Sequence, residues 1–169
     1  MQKNISKKVV NIGIKMYEIM KTVFVDLDNT LALNETCDDV PYTKGLYLNK
    51  KPIKEIIHLV DYYYRDIANI IIISRYVGGE DGKQEKINWM RKHLPKSFLI
   101  NSPYLIASDD IKTKADYINE YSISNNMKLE DCTIIDDKKE ILQQCKKIGI
   151  KALYPQQLIV RYEEELIND

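Results

Sequence analysis

The chain has 169 residues, of which 44% are hydrophobic and 30% are charged, and this composition excludes a disordered or fibrous protein and favours one domain with its own apolar core. Lysine and arginine together number 25, as do aspartate and glutamate, so the net charge of zero gives no electrostatic reason to expect a nucleic-acid or membrane partner. The longest apolar run, Ile70 to Ile73, is too short to cross a bilayer.

The cysteines and the N-terminal segment bear on where the protein acts. Cys37, Cys132 and Cys145 share no close spacing, which predicts free thiols in a reducing compartment and hence a cytoplasmic protein. Residues 1–20 lack the apolar stretch and the small-residue cleavage site of a secretory signal. They are interpreted either as an N-terminal extension or as a short helix packed on the outside of one domain, residues 21–169.

Short apolar segments alternate with segments of helical periodicity along residues 21–169. The predicted strands lie at 22–25, 69–73, 98–100, 132–135 and 150–153. Helical spacing predicts helices at 52–65, 83–93, 138–147 and 155–167, and one more that Asp109 or Asp110 caps and that runs to about residue 121. Residues 32–50 are predicted to form an inserted loop or small hairpin, and residues 77–82 a flexible turn.

Strands that alternate with helices predict an α/β fold with right-handed crossovers and a mainly parallel sheet. We expect a three-layer α/β/α, Rossmann-like arrangement whose five strands, numbered along the chain, lie in the order 5-4-1-2-3. Ligands of such sheets bind at the carboxyl ends of the strands. The residues that follow those ends are polar: Asp26, Asp28, Ser74, Asp136 and Asp137.

Carboxylates that meet at one edge of a sheet repel each other, and a bound hard cation resolves the conflict. Asp26, Asp136 and Asp137 offer the oxygen ligands that Mg²⁺ prefers. An aspartate in this place can also attack phosphorus and form an aspartyl-phosphate. Asp28, two residues further on, can protonate the leaving oxygen and later activate water. Ser74 can donate a hydrogen bond to a phosphoryl oxygen, and a lysine, Lys112 or Lys114, can neutralise developing charge.

Four segments in this order resemble the motifs of the haloacid dehalogenase (HAD) superfamily over about residues 20–155. They are Asp26-Leu27-Asp28-Asn29-Thr30, the apolar strand that ends in Ser74, Lys114 in Thr113-Lys114-Ala115, and Ile134-Ile135-Asp136-Asp137. The resemblance implies a HAD-like hydrolase domain at 21–169. It also implies that Asp26 is the nucleophile, Asp28 the general acid and base, and Ser74 and Lys114 phosphate ligands. Mg²⁺ would be held by Asp26, the Asp28 backbone carbonyl and Asp136. The second aspartate of the first motif is typical of the phosphatases of the superfamily.

Each of these residues has a plainer interpretation when it is taken alone. An aspartate pair is usually a solvated turn, Ser74 and Asp136 could cap helices, and an isolated lysine usually lies on the surface. Arg75 could bind phosphate or a second substrate group, or could be a surface arginine. Two other functional classes stay open: a receiver-like signalling module, and a non-catalytic binding protein with the same fold.

The gaps between the motifs are too short for a large cap domain, which predicts an open site that water can enter. The sequence therefore favours a Mg²⁺-dependent phosphate monoester hydrolase whose partner is a small phosphorylated molecule. A 5′-nucleotidase is one candidate, because the Ser74-Arg75 step and the adjacent aspartates loosely resemble the nucleotidases of the superfamily. Tyr42 and Tyr47 of the inserted loop could stack on a base, although tyrosines in loops commonly do not. A phosphatase of phosphosugars or of other small molecules is the alternative.

Overall fold

The computed structural model describes residues 21–34, 41–100 and 102–168, so the predicted extension 1–20 and Cys37 lie outside the described residues. The strands are β1 (Lys21–Val25), β2 (Ala32–Leu33), β3 (Lys51–Pro52), β4 (Ala68–Tyr76), β5 (Tyr104–Ala107), β6 (Cys132–Ile135) and β7 (Lys151–Leu153). The helices are α1 (Lys54–Tyr64), α2 (Gly79–His93), α3 (Lys114–Ser124), a 3-10 turn (Leu129–Asp131), α4 (Lys139–Lys147) and α5 (Pro155–Asn168).

Five strands form a parallel sheet in the order β5-β4-β1-β6-β7. When only these five strands are numbered along the chain, this is the predicted order. β1 lies in the centre, where Phe24 is in register with Ile71 of β4 and Ile134 of β6. The central strands are continuous apolar runs because helices cover both faces of the sheet.

Alternate residues of each strand point to opposite faces, and each face has its own apolar cluster. Val23 and Ile70 pack in one cluster with buried residues of α1, α2 and α5. Phe24 and Ile71 pack in the other with residues of α3 and α4, and the buried free thiols of Cys132 and Cys145 belong to this second cluster. The predicted three-layer fold is therefore confirmed.

The third strand of the sheet is not where the sequence predicted it. The apolar segment 98–100 makes one isolated bridge, from Phe98 to Ile70, whereas Tyr104–Ala107 pairs with residues 73–76 of β4. β4 is nine residues long, and two successive pieces of chain share its outer edge. Pro103 lies between them, and because proline has no N–H group it interrupts pairing along an edge.

Three predicted helix starts also need correction. Neither Asp109 nor Asp110 caps α3; the cap is Thr113, whose hydroxyl accepts from the backbone N–H of Asp116 while the Asp116 carboxylate accepts from the backbone N–H of Thr113. This reciprocal capping box leaves two fewer N–H groups unpaired at the helix end. The predicted turn 77–82 contains the first turn of α2, and Pro52 belongs to β3 instead of opening α1.

The inserted segment is closed by a short antiparallel ladder. Ala32 of β2 lies opposite Pro52 of β3, and Leu33 lies opposite Lys51. Between the two strands, residues 41–50 form a series of turns, whereas residues 35–40 lie outside the described residues. In the part of the chain that the structure describes, no helix has the length and apolar character needed to span a bilayer.

Candidate active site

The chain turns sharply after β1, and this turn positions the first two carboxylates. The backbone N–H of Asp26 donates to the last carbonyl of β6 at 2.9 Å, so sheet pairing continues one residue beyond β1. The carbonyl of Leu27 accepts from the N–H of Ala32 at 2.8 Å, which folds residues 28–31 into a tight loop. Asn29 in this loop has a φ of 59°, a conformation that asparagine adopts more readily than most residues. This loop places Asp28 over the carboxyl edge of the sheet.

Asp26 and Asp136 end neighbouring strands and share one ammonium group. The Nζ of Lys114 lies 2.5 Å from Oδ1 of Asp26 and 2.6 Å from Oδ2 of Asp136, and all three side chains are buried. Burial alone would lower the pKa of Lys114, but the two carboxylates outweigh it and raise that pKa. Burial raises the pKa of Asp26, and Asp136 acts in the same direction while Lys114 opposes it. Lys114 thus supplies part of the counter-charge that this cluster needs.

The third carboxylate at this edge has an oxygen without a partner. Oδ1 of Asp137 is buried and makes no hydrogen bond with any residue that the structure describes. Burial raises the pKa of Asp137, and the neighbouring Asp136 adds to the effect. Carboxylate oxygens of Asp26, Asp136 and Asp137 lie within 4.8 Å of one another. A buried, unpaired carboxylate oxygen next to two other carboxylates is a donor set that suits Mg²⁺, so these residues fit the predicted cation.

Asp28 faces the other side of the same site and contacts two ammonium groups. Oδ1 of Asp28 accepts from Lys50 at 2.5 Å, and Oδ2 accepts from Lys86. Burial alone would raise the pKa of Asp28, but Lys86 and Lys50 outweigh it and lower that pKa. The two first-motif carboxylates therefore differ in their surroundings, because Asp26 is grouped with other acids and Asp28 with bases.

Lys86 is a functional candidate that the sequence reasoning missed. Its side chain is fully buried, and its ammonium group donates to Asp28, to Oγ of Ser74 at 2.9 Å and to the carbonyl of Arg75 at 2.5 Å. Burial lowers the pKa of Lys86, and Asp28 opposes that shift. The available signal was helical spacing, since Lys86 stands three and four residues before the buried Trp89 and Met90 and so lies on the apolar face of α2.

Ser74 lies where the second motif predicts it, at the edge of the site. Its side chain is fully buried, its hydroxyl accepts from Lys86, and it lies 3.4 Å from Oδ2 of Asp28. Ser74 lies near the end of β4, which pairs with β1, so it is one strand away from Asp26.

Arg75 follows Ser74 but its guanidinium group contacts the backbone of a neighbouring loop. Nη1 donates to the carbonyls of Ala107 and Asp110 at 3.1 and 3.0 Å, and Nη2 donates to the carbonyl of Lys112 at 2.5 Å. These bonds hold the loop that leads from β5 to Lys114. Its predicted role as a ligand of phosphate stays a prediction.

The choice between the two candidate lysines follows from where each ammonium group lies. Lys112 pairs with Glu120 on the surface, and about half of each side chain is exposed. Lys114 is the first residue of α3 and reaches inward to Asp26 and Asp136. The structure therefore favours Lys114 as the lysine of the site.

A cavity of about 230 Å³ opens over these residues. Its floor includes Asp26, Asp28, Ser74 and Lys114, and the segment 41–50 contributes Leu46, Tyr47 and Lys50. The remaining lining residues are Asn34, Arg75, Tyr76, Val77, Ser108, Lys138 and Ile141. The cavity is smaller than the pockets that bind drug-sized ligands, which begin at roughly 300 Å³.

No model of a protein family matches the chain, and neither does any curated protein sequence. Solved structures do match. The N-terminal part of the Bacteroides fragilis protein BF1531, described as containing a phosphatase domain complexed with Mg, is 18% identical with a TM-score of 0.56. The match covers 88% of this chain and 39% of that chain, so this chain spans well under half of that protein.

Two further structures have the same fold. The haloacid dehalogenase-like hydrolase SP0104 of Streptococcus pneumoniae is 15% identical with a TM-score of 0.54, and the match covers 80% of this chain and 84% of that chain. A HAD-like phosphatase of Mesorhizobium loti is 12% identical with a TM-score of 0.53, and the match covers 78% and 69% of the two chains. The chain therefore has the fold of the haloacid dehalogenase-like phosphatases, as its four motifs predict.

Proposed function

We propose that the protein is a Mg²⁺-dependent hydrolase of phosphate monoesters that acts through an aspartyl-phosphate on Asp26. One observation carries the proposal: the carboxylate of Asp26 lies 2.5 Å from a buried ammonium group, and a second carboxylate two residues on, Asp28, lines the same cavity. A nucleophile beside a fixed cation and near a separate acid–base group is the arrangement that two-step phosphoryl transfer requires.

In the first step, a carboxylate oxygen of Asp26 attacks phosphorus and the bond from phosphorus to the ester oxygen breaks. Asp28, in its protonated form, gives its proton to that oxygen, so the alcohol leaves neutral. Because Lys86 and Lys50 lower the pKa of Asp28, this form is the minor one near neutral pH. Lys114 and Ser74 bind the phosphoryl oxygens, on which negative charge lies throughout the transfer. Lys86 holds the side chains of Ser74 and Asp28 in place through its hydrogen bonds to both.

In the second step, Asp28 removes a proton from water, and the water oxygen attacks phosphorus of the aspartyl-phosphate. The bond from phosphorus to Asp26 breaks, which frees inorganic phosphate and restores the carboxylate. Asp26, Asp136, Asp137 and the backbone carbonyl of Asp28 are the groups that would hold Mg²⁺. When bound, this ion would neutralise charge on the phosphoryl group.

A compact substrate suits the site better than a nucleotide. Tyr42 and Tyr47 are the loop tyrosines that could stack on a base, but the ring of Tyr42 packs against Gly78, and the ammonium groups of Lys50 and Lys86 lie over the ring of Tyr47. The small cavity also favours a small phosphorylated molecule. The buried thiols of Cys132 and Cys145 support a reducing, cytoplasmic location, which is part of the proposal.

Turnover together with trapping tests the proposal. Nitrophenyl phosphate and a panel of nucleotides, phosphosugars and phosphorylated acids are offered to the purified chain with Mg²⁺, and released phosphate is measured. In an acid-quenched sample, mass spectrometry should find a phosphoryl group on the peptide that contains Asp26. A receiver-like module would carry the phosphoryl group without repeated turnover. A non-catalytic protein would show neither, and either result would overturn the proposal.

A further inference from the structure

Lys50 and Lys86, whose ammonium groups both pair with Asp28, differ in how many hydrogen bonds they donate within the protein. Lys86 donates to three protein acceptors, which is all that an ammonium group has hydrogens for. Among the residues that the structure describes, Lys50 donates to one acceptor, Oδ1 of Asp28; its ammonium group lies 5.0 Å from the centre of the Tyr47 ring, and its side chain lines the cavity. Within those residues, Lys50 therefore keeps N–H bonds for a ligand, and Lys86 keeps none.

Hydrogen bonds fix the backbone of Lys50 and of the segment before it, so the Lys50 side chain projects from a defined position. The carbonyl of Lys50 accepts from Nε1 of Trp89 at 2.8 Å. The segment before it is attached to α2 through the buried Glu85, whose carboxylate accepts from the N–H groups of Gly45 at 2.6 Å and Tyr47 at 3.2 Å. None of these bonds involves the side chain of Lys50, so all of them can persist when that side chain is changed.

The position of Lys50 relates it to the leaving group of the substrate. In the proposed reaction, Lys114 and Ser74 bind the phosphoryl group. Lys50 instead pairs with Asp28, the residue that protonates the ester oxygen. A proton donor lies about 3 Å from the oxygen that it protonates. Since Nζ of Lys50 is 2.5 Å from Oδ1 of Asp28, its ammonium group lies within about 5.5 Å of the ester oxygen when Oδ1 carries the proton.

We propose that Lys50 binds a second anionic group of the substrate, a carboxylate on the first or second carbon beyond the ester oxygen. The inference rests on the proposed phosphatase function and assigns its substrate class, phosphorylated hydroxy acids. A carboxylate fits better than a second phosphate because the cavity is small and because Leu46, Val77 and Ile141 also line it. Lys50 moves from the Asp28 carboxylate to the carboxylate of the substrate. Asp28 keeps its ion pair with Lys86, so both carboxylates are paired with an ammonium group.

Matched substrates measure this directly. 2-Phosphoglycerate and glycerol 2-phosphate differ by a carboxylate on the first carbon, and 3-phosphoglycerate and glycerol 3-phosphate by one on the second. For the wild-type chain we expect kcat/KM for the acid to exceed that for the alcohol about tenfold or more in at least one pair. Where a pair is not turned over, the inhibition constants against nitrophenyl phosphate give the same ratio.

Variants then assign the preference to its residue. Lys50→Met should bring the acid-to-alcohol ratio to near one, Lys50→Arg should retain most of it, and Lys44→Met, which changes an exposed lysine of the same segment, should leave it unchanged. A thermal unfolding curve for each variant shows that it is folded. Because the readout is a ratio within one variant, a general loss of activity does not affect it.

The outcomes separate the two proposals. A wild-type ratio near one, a preference for nucleotides over both pairs, or a ratio that survives in Lys50→Met would overturn the role of Lys50 while the phosphatase function stands. The last of these would assign the carboxylate to another cation of the cavity, such as Lys138. A folded chain that turns over no phosphate ester at all would overturn the proposed function and this inference with it.

Discussion

The two carboxylates of the first motif lie in one cavity but belong to differently built halves of the site. The Asp26 half consists of Asp26, Asp136, Asp137 and Lys114, and all four follow β1 or β6 or begin α3. The Asp28 half consists of Asp28 with Lys86 and Lys50, and its two lysines come from α2 and from the inserted segment 41–50. One half rests on the ends of the sheet, and the other rests on a helix and a loop that are bonded to each other.

The difference in charge has a consequence for chemistry. In the Asp26 half, one ammonium group pairs with two of the three carboxylates, and a buried oxygen of the third has no hydrogen-bond partner among the described residues, so this half gains from a further cation. In the Asp28 half, one carboxylate is shared by two ammonium groups, so this half gains from a further anion. A site with one cation-seeking and one anion-seeking half is suited to Mg²⁺ and to an anionic substrate at once.

The largest effect is expected when the nucleophile of the Asp26 half is removed. Asp26→Asn leaves a neutral amide that does not attack phosphorus, so kcat should fall by about 10⁴-fold or more and no phosphoenzyme should form. Asp66→Asn, at a site whose side chain is 82% exposed, serves as the control. Near-normal turnover in Asp26→Asn, measured as phosphate release, would contradict the assignment of the nucleophile.

The corresponding change in the Asp28 half should cost less and depend on the substrate. Asp28→Asn removes the proton donor and the later base but leaves Asp26 in place, so kcat for an alkyl phosphate should fall by about 10²–10⁴-fold. Nitrophenol needs little proton donation, so with nitrophenyl phosphate the phosphoenzyme should form faster than it is hydrolysed and should accumulate. Rapid quench after mixing measures both steps. Equal losses at both steps for every leaving group would indicate that water attacks phosphorus directly.

The metal requirement should be specific to the Asp26 half. Asp137→Asn removes the charge of the carboxylate whose Oδ1 has no partner, so the Mg²⁺ concentration for half-maximal activity should rise by about 10–100-fold. With saturating Mg²⁺ most of the activity should return. Glu140→Gln changes an exposed carboxylate of α4 and should leave the titration unchanged. An unaltered Mg²⁺ titration in Asp137→Asn would exclude Asp137 as a ligand.

Lys86 tests whether the Asp28 half is held in place by its buried cation. Lys86→Met keeps a long side chain on the apolar face of α2 but removes the hydrogen bonds to Asp28, to Ser74 and to the carbonyl of Arg75. We expect kcat to fall by about 10–100-fold, with little change in the Mg²⁺ requirement. Lys83→Met, which alters a partly exposed lysine of the same helix, is the control. A larger effect on Mg²⁺ affinity than on kcat would contradict this prediction, because it would place the role of Lys86 in the Asp26 half.

The two halves also differ in how far the sequence predicts them. Asp26, Ser74 and Asp136 each follow an apolar strand, and parallel strands bring their carboxyl ends to one edge, so their meeting follows from the pattern alone. The contacts of Lys86 and Lys50 join a helix to a loop, and no local pattern records such a pairing. Arg75 shows the same limit, because its neighbour Ser74 is in the site while its own guanidinium group contacts a loop beyond β5.

The sequence predicted the fold correctly where only one apolar segment could pair with a given strand. The central strands and their order follow from continuous apolar runs between helices. The third strand was misplaced because Phe98 and Tyr104–Ala107 both border the long strand β4, and the more apolar of the two segments gave the stronger signal. The start of α3 was misplaced for another reason: Asp110 has the right chemistry for a cap, but it accepts from the hydroxyl of Tyr117, and Thr113 takes the cap.

The smallest expected effect concerns the bond between the helix and the loop that carry the Asp28 half. Glu85 accepts from three donors of the segment 41–50, and in Glu85→Gln an NH₂ group would face N–H donors in place of one carboxylate oxygen. Leaving such a buried donor unpaired costs about 1–3 kcal/mol, which corresponds to a loss of about 5–150-fold in protection against amide hydrogen exchange at Gly45 and Tyr47. Because the Asp26 half does not depend on this bond, amides of β1 and β6 should keep their protection, and the Mg²⁺ titration should not change. Activity should fall only a few-fold, through looser placement of Lys50.

Glu80→Gln, a change at an exposed carboxylate of the same helix, is the control. Loss of protection in β1 as well would show that the two halves are mechanically one unit.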